Sequence, residues 1–493
     1  MKKLIFVILL LILSVPLYAQ GSYPDSASLI GYTHTSISAL CGSQISVRDS
    51  QGWIHVVWAF SWYLSDSSEI FYSHSTDNGT TWSSMVNISQ TGIQRAYAPA
   101  LAIDSQDNLH CTWNQYDEHS ESFDVFYSRY DGQSWSQPVN ISLHGHQEGF
   151  SLLSSLVVDS KDNIHAVWDK SEWGGYDVYY SFYNDTIWST PLQLSQSESE
   201  DKTPALTVDE NDNLHVVWAY NGNALLYRRF DGSSWTDADT INTDYFYVGN
   251  PCIVTDSQCY PKVCYLGVSA DLETCYVFYS ECDGSVWSLP FNVSSPLVRA
   301  KWVTLAIDSS DNIYTVWSAK SPEKEDIFIR TFDGGVWSNT WFVVEDTLYS
   351  QRPKLGNPVK GDKLDLVFMS RFGISNTYEV LYLGLDVLAG IAEQPDQRQK
   401  TSDIRLLCHP NPFTSSTTIT FHSVSVYRCI GVSEIQIYDI SGRKIKNLPV
   451  LSSQFPVPSY VWDGRDGEGR VVSPGIYFFT MGGKSVGKVV KVR

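Results

Sequence analysis

The sequence predicts an all-β chain: a seven-bladed β-propeller followed by a small C-terminal β-sandwich. Three observations carry this expectation: a repeat averaging about 51 residues, a tail whose motifs break that period, and a ring-rich composition. Apolar residues make up 43% of the 493 and aromatics 14%, with 17 Trp and 29 Tyr. Such a chain must bury cores, despite a formal charge of −20 that in a ring-poor chain would suggest acidic disorder. The charge argues against a nucleic-acid partner, whose recognition rests on a basic footprint.

The first element is an export signal. Met1-Lys2-Lys3 precedes an apolar run from Leu4 to Leu17, and Ala19 supplies a small residue for cleavage, so residues 1–19 read as a secretory signal peptide. The run is short for a membrane span, which needs about 20 residues. No cysteine follows it to take a lipid, and no later stretch is apolar enough to cross a bilayer. The mature protein is expected to be secreted or displayed on the outer surface of a Gram-negative-type envelope.

The repeat occupies residues 22–390. A Trp-Ser or Trp-Thr element recurs at Trp82, Trp135, Trp188, Trp235, Trp287 and Trp337, with gaps of 53, 53, 47, 52 and 50 residues. A second landmark, an apolar strand ending in a ring, lies upstream of each at Trp58, Trp113, Trp168, Trp218, Tyr265 and Trp317, with Phe368 in a last weak copy. In the second copy the expected strands are Ala100 to Ile103, Leu109 to Trp113, Val125 to Tyr130 and Trp135 to Ser142. The turns between them, Asp104 to Asn108 and Asp131-Gly132, carry residues that accept left-handed backbone. Four-stranded repeats of this length are propeller blades. The last copy, Pro353 to Asp386, has three strands and no Trp-Ser element. Aligning Asp49 on Asp159 puts Leu29 to Tyr32 at the fourth-strand position, so the N-terminus is expected to complete that blade. The weakness of this copy leaves six and eight blades as alternatives.

In the first copy Ser75-Thr76-Asp77-Asn78-Gly79-Thr80-Thr81-Trp82 resembles the Asp-box of sialidase-like (BNR-repeat) propellers. Later copies keep only the Asp-Gly turn and the Trp. The resemblance covers the repeat region and implies the fold without specifying an activity.

The tail is another module. After a polar linker at 391–403, residues 404–493 read as alternating strands between glycine turns, a small β-sandwich. The order His409-Pro410-Asn411-Pro412-Phe413, Ile437-Tyr438-Asp439-Ile440-Ser441-Gly442-Arg443, Trp462-Asp463-Gly464-Arg465-Asp466 and Pro474-Gly475-Ile476-Tyr477-Phe478, with a basic end, resembles the type IX secretion system C-terminal sorting domain. That domain is related to the immunoglobulin-like (Ig-like) domain of the flagellar hook-capping protein. The resemblance implies passage across the outer membrane with the secretion machinery as partner. Residues 401–493 hold 11 basic and 6 acidic residues, so the acidity belongs to the repeat region.

Of the nine cysteines, Cys252, Cys259, Cys264, Cys275 and Cys282 fall close together, and Cys408 and Cys429 form a second group. Bridges within each group or free buried thiols are expected rather than zinc, because no paired CxxC spacing is present.

Residues shared by most copies are scaffold, and a functional group should be peculiar to one or two. His55, His110, His165 and His215 each lie three residues before the strand-two Trp, which points to repeated packing or hydrogen bonding rather than a metal ring. The Asp-Asn turns lack the converging oxygens and fixed glycine of a calcium loop. No metal and no cofactor is expected. The Asn-Ile-Ser sequons at Asn87 and Asn140 are repeat consensus.

Strand two-to-three and inter-blade connections vary in length, and variable loops on a rigid scaffold carry function. They supply Trp62, Tyr63, Tyr116 and Trp173, with Trp302 from an inter-blade loop, as a stacking surface. Arg95, Arg299 and Arg352 precede strand one in their blades and are expected to point toward a central anion. Sialidase-like enzymes pair an arginine triad with a tyrosine nucleophile and carry an Arg-Ile-Pro element. This chain has none, and Gln351-Arg352-Pro353 is a faint echo. With no nucleophile elbow, HExxH or phosphate loop present, no catalytic residue is assigned. The expected function is therefore binding of an extracellular glycan, peptide or protein through the variable-loop face. A sialidase-like hydrolase or lyase is the alternative, and a structural surface protein the third.

Overall fold

The computed structural model describes residues 27–33, 40, 43–61, 67–92, 95–117, 121–143, 150–172, 175–195, 200–241, 247–269, 274–294, 299–320, 325–344, 349–360, 363–371 and 378–386, and in the tail 405–409, 414–422, 434–439, 443–449, 460–481 and 484–492. Every element among them is a strand. The chain divides into two units, Met1–Val387 and Leu388–Arg493.

Among the described residues the first unit contains seven four-stranded antiparallel sheets, called blades 1 to 7 here. Blades 1 to 6 follow the chain at residues 46–87, 96–140, 150–193, 201–241, 247–292 and 300–344. Blade 7 takes Tyr349–Leu355, Lys363–Arg371 and Tyr378–Asp386, and its outer strand is Ser28–Thr33 from the N-terminus. In blade 2 the first strand runs from Ala96 to Ile103, longer than the sequence suggests, because it continues through a bulge. Its outer strand shrinks to Val139–Asn140, with Trp135 held by an isolated bridge to Tyr130.

The two landmarks of the repeat have distinct jobs. Trp58, Trp113, Trp168, Trp218 and Trp317, with Tyr265 and Phe368 at the same point, are fully buried in the second strands. Truncating such a ring to Ala costs about 3–5 kcal/mol. The Trp of each Trp-Ser element instead joins neighbours, leaning edge-on against a tyrosine of the preceding blade. Trp135 meets Tyr72 at 5.3 Å, Trp188 meets Tyr127 at 5.0 Å and Trp235 meets Tyr180 at 5.3 Å. The pattern continues with Trp287 on Tyr227 at 5.2 Å and Trp337 on Tyr279 at 5.1 Å. Each pair adds about 0.5–1.5 kcal/mol beyond its burial. Trp82 of blade 1 meets Tyr382 of blade 7 in the same way at 5.5 Å, and its Nε1 donates to Ser28 Oγ at 2.9 Å.

A buried ion pair completes the seam between blades 7 and 1. Arg48 donates to both oxygens of Asp365 at 2.7 Å, and the Tyr382 hydroxyl donates to Asp365 Oδ1 at 2.7 Å.

Turn chemistry laces one face. Asp104 Oδ1 accepts the backbone N–H groups of Gln106 and Asn108, and equivalent aspartates do the same in neighbouring blades. Further along the same turn Asp107, Asp162, Asp212 and Asp311 adopt left-handed backbone with φ of 61–64°. Each carboxylate takes the N–H and hydroxyl of a serine one blade earlier, namely Ser50, Ser105, Ser160 and Ser257. In the Asp-box the Thr81 hydroxyl and N–H, with Ser75, bind Asp77 and hold its carboxyl down at about 2. The sequon serines are also structural: Ser89 and Ser142 are buried and accept the Ile70 and Val125 N–H groups.

In the second unit Arg405–His409, Thr417–His422 and Tyr460–Trp462 form one sheet. Lys444–Pro449, Glu434–Asp439, Gly475–Met481 and Lys484–Lys491 form another. Buried Trp462 of the first meets Tyr477 at 5.1 Å and Phe479 at 6.2 Å in the second. The Pro410 to Phe413 motif lies outside the described residues.

Candidate functional site

The first strands of the blades line an axial channel of about 900 Å³, a volume typical of small-ligand sites. Its shape comes from a device repeated in six blades. The ladder between first and second strands slips at Tyr97/Ala100, Leu152/Ser155, Lys202/Ala205, Gly249/Cys252, Lys301/Thr304 and Gln351/Lys354. Inside these bulges Ala98, Thr203, Asn250, Trp302 and Arg352 hold φ between 50 and 54°. Proline follows four of the five, as Pro99, Pro204, Pro251 and Pro353. A bulge tolerates proline because the extra residue needs no ladder N–H. The Thr203 N–H is taken by the Asp169 carboxylate at 2.9 Å.

The backbone of the bulge is scaffold, since the blades share it, whereas its side chain changes from blade to blade. Thr203, Asn250 and Trp302 line the channel at this level, with Ser43 just before blade 1 and Lys354 two residues beyond the blade 7 bulge. The Arg352 guanidinium lies 3.7 Å from the Trp302 ring centroid, and Arg352 is buried. One face of the indole is thus covered by a cation, and Trp302 also borders the channel. Ser43 Oγ and Thr203 Oγ1 have no hydrogen-bond partner among the described residues. Farther along, Val254, Leu305 and Leu355 make the wall apolar, and Glu210, Asp256, Asp308 and Asp311 border the end near the laced turns. No His or Tyr is among the described residues that line the channel.

The sequence-predicted site residues divide three ways. Trp62, Tyr63 and Trp173 lie outside the described residues. Tyr116 packs edge-on against Phe123 at 5.5 Å, a cap on blade 2. Arg95 and Arg299 enter blades 2 and 6 at the same position, their carbonyls accepting the Tyr116 and Lys320 N–H groups. Arg352 sits elsewhere, inside strand Tyr349–Leu355, so the three arginines do not share one point of the repeat. Trp302 lies inside strand Ala300–Ile307 rather than in an inter-blade loop, because the strand continues through the bulge; of the eight residues, the structure brings Trp302 and Arg352 into contact. Ser43, Thr203, Asn250 and Lys354 escaped the sequence reading. The recurrent X-Pro dipeptide at Ala98, Thr203, Asn250 and Arg352 was the available signal, and it shows that Arg352-Pro353 is repeat grammar rather than an echo of Arg-Ile-Pro.

The four histidines are structural. Nε2 of His55, His110, His165 and His215 meets Asp49, Asp104, Asp159 and Asp209 at 3.1–3.3 Å. Nδ1 meets the hydroxyls of Tyr72, Tyr127, Tyr180 and Tyr227 at 2.7–2.8 Å. A carboxylate only accepts, so Nε2 carries the proton and Nδ1 receives the tyrosine O–H. Burial pushes these tyrosines up and lowers His55 and His215. Burial alone would raise Asp104, but hydrogen bonds from His110 and Asn108 hold it down at about 2. Among the described cysteines, Cys111, Cys252, Cys259, Cys264, Cys275 and Cys282 are free thiols.

Comparison with solved structures decides the architecture. An ulvan lyase of polysaccharide lyase family PL25, bound to -[GlcA(1-4)Rha3S]-, superposes with TM-score 0.54 and 10% identity, covering 72% of this chain and 96% of that one. The fold is a β-propeller. A second structure of a PL25 ulvan lyase gives TM-score 0.54 and 11% identity with the same coverage. A Trypanosoma rangeli sialidase with the inhibitor DANA gives TM-score 0.44 and 10% identity, over 95% of this chain and 94% of that one. No family model and no curated protein sequence matches the chain.

Proposed function

We propose that this protein is a secreted or surface-displayed seven-bladed propeller that binds an extracellular glycan at the bulge end of its channel. The observation that carries the reading is Trp302, a channel-lining residue whose indole carries the Arg352 guanidinium over one face, with Asn250 and Lys354 lining the channel beside it. A flat ring beside Asn250 and Lys354 suits a sugar, which offers an apolar C–H face and a hydroxyl edge. Glycan-linked propellers among the fold neighbours support the same class. A glycan array probed with the mature chain tests it: binding to some sugars is expected, and silence on glycans together with binding on a peptide array would replace it.

The second reading is a glycan-active lyase or hydrolase, favoured by the fold likeness to a polysaccharide lyase. Proton abstraction or glycosidic cleavage needs a positioned base or acid. The carboxylates that border the channel lie at the end near the laced turns, where Asp256, Asp308 and Asp311 are held by turn and inter-blade hydrogen bonds, so binding is preferred. Appearance of new reducing ends in a polysaccharide incubated with the protein would reverse that preference.

Export by a type IX-like route, with 404–493 as an Ig-like sorting domain recognised by the secretion machinery, completes the proposal. Deleting 404–493 is expected to trap the propeller in the periplasm, and normal secretion of the truncated chain would remove this assignment.

A further inference from the structure

We infer that Cys252 and Cys264 form a dithiol–disulfide site in blade 5, with Cys252 the sulfur that an external disulfide meets first. The two residues stand directly opposite each other on the first and second strands of that blade. Opposed residues of an antiparallel pair have Cα atoms about 4.5–5.5 Å apart, inside the roughly 4.4–6.8 Å that a disulfide spans. Both side chains leave the sheet on the face that packs on blade 6. Cys252 Sγ donates to the Val303 carbonyl at 3.3 Å, and Cys264 Sγ lies 3.4 Å from Thr315 Oγ1. Among the described cysteines no other two are opposed: Cys111 faces Leu101, Cys275 faces Val268, Cys282 bridges to Trp287 and Cys259 meets Asn211.

The repeat shows that the scaffold does not require this pair. The same point, just past the bulge, is Ala100 opposite Thr112 in blade 2, Ser155 opposite Val167 in blade 3 and Ala205 opposite Val217 in blade 4. In blades 6 and 7 it is Thr304 opposite Val316 and Lys354 opposite Val367. Blade 5 alone of these six places two sulfurs there. The register slip before Cys252 also loosens the ladder locally, which gives its strand the slack to meet its partner.

The two thiols differ in access. Cys264 is fully buried, and burial, with the neighbouring Cys252 adding to it, pushes its thiol up. Cys252 lines the channel, and Lys354 opposes the burial that raises its thiol. A cation beside a partly exposed sulfur favours the reactive thiolate. Attack by Cys252 on an external disulfide such as oxidised glutathione forms a mixed disulfide and expels one thiolate. Cys264 then gives up its proton and attacks the Cys252 sulfur, expelling the second. The pair loses two electrons and two protons, and the oxidant leaves as two thiols. The oxidised form thus exchanges two contacts across the blade 5–6 seam for one covalent tie within blade 5.

The test uses the full chain prepared in two ways: folded under reduction and then equilibrated in glutathione buffers of increasing oxidation, or directed by an established signal peptide to fold in a bacterial periplasm. Free thiols are alkylated in denaturant and the peptides mapped by mass spectrometry. The expected result is joint loss of alkylation at Cys252 and Cys264, with a cross-linked peptide that dithiothreitol releases. Its presence in the periplasmic chain alone also supports the site, because oxidation then precedes the packing of the blades. Cys259→Ser, in the turn of the same blade, should leave the link intact. In Cys264→Ser the first step should stop as a glutathione adduct on Cys252, and in Cys252→Ser no adduct should form on Cys264; the reverse pattern overturns Cys252 as the entry. If both thiols alkylate fully in both preparations, or either is linked to another cysteine, the inference fails, and this map of the parent chain decides even where a serine variant does not fold.

Discussion

Blades 1–4 and blades 5–7 share one topology but hold it differently. In the first four, a histidine joins the turn aspartate to a tyrosine of the third strand with nearly constant distances. In blade 5 the histidine becomes Lys262, whose ammonium reaches Asp256 at 2.8 Å, and in blade 6 it becomes Tyr314, which donates to Asp308 at 2.8 Å. Blade 7 places Asp365 there and spends it on Arg48 and Tyr382 at the seam. The fold therefore requires only that the buried turn be tied, by whichever group fits. The sector that abandons the consensus also supplies Asn250, Trp302, Arg352 and Lys354 to the channel region. Thr203 of blade 4 and Ser43 line the channel as well, but the larger polar and aromatic side chains at the bulge level come from blades 5–7, where the histidine relay is lost.

The largest effect should come from breaking the seam that only blade 7 makes. Arg48→Ala leaves the Asp365 carboxylate buried without its cation and is expected to cost about 3–5 kcal/mol in chemical denaturation. The exposed pair Arg443 with Asp439 at 3.0 Å is the control, and Arg443→Ala should change stability by less than about 1 kcal/mol. Equal losses would mean that the seam is not what closes the ring.

A smaller loss is expected inside the regular sector. Tyr127→Phe removes the hydroxyl that satisfies buried His110 Nδ1, so denaturation should show about 1–3 kcal/mol lost. Glycan binding should not change, because this relay lies away from the channel-lining residues. A change in sugar affinity with unaltered stability would erase the division between scaffold and ligand sectors.

That division was half legible in the sequence. Buried rings repeat at Trp58, Trp113, Trp168, Trp218 and Trp317 because every blade needs the same core, and the period exposes them directly. The histidines were recognisable as scaffold by the same logic, although not their partners, since Tyr127 and Asp104 flank His110 through register and turn geometry. The Ser105 to Asp162 clasp was invisible for another reason: it joins residues 57 apart that become neighbours only when blades stack. Arg352 was noticed but misaligned with Arg95 and Arg299, because a bulge shifts register without leaving a gap in the sequence. The tyrosine and tryptophans of the variable loops drew attention as rings, yet Tyr116 turns out to pack on its own blade.

Acidification should separate the sectors more gently. Burial lowers His55 and His215, so in the folded state they resist the proton that their unfolded counterparts accept near the ordinary value of about 6.5. Below that pH the unfolded chain binds more protons than the folded one, and stability falls as pH falls. Hydrogen exchange between pH 7 and 5 should therefore show blades 1 and 4 losing protection before blade 6, where Tyr314 replaces the histidine. His215→Gln should remove that pH dependence from blade 4, and an unchanged slope would assign it to another group.

The smallest effect is the one that asks whether a lapsed blade can be restored. In blade 5 the turn aspartate Asp256 and the third-strand Tyr279 are both present, but Tyr279 donates to Glu281 at 2.7 Å while Lys262 serves Asp256. Lys262→His would supply the missing imidazole between them and exchange a partly screened ion pair for a buried relay. Because one satisfied arrangement replaces another, the change in stability should stay within about 1 kcal/mol, measured by thermal melting. A loss several times larger would mean that blade 5 has diverged around Lys262 and that the comparison rests on more than one side chain. Near-neutrality, with a new stability loss on acidification below about 6.5, would show that the four-blade relay is a portable tie that blades 5 to 7 have exchanged for others.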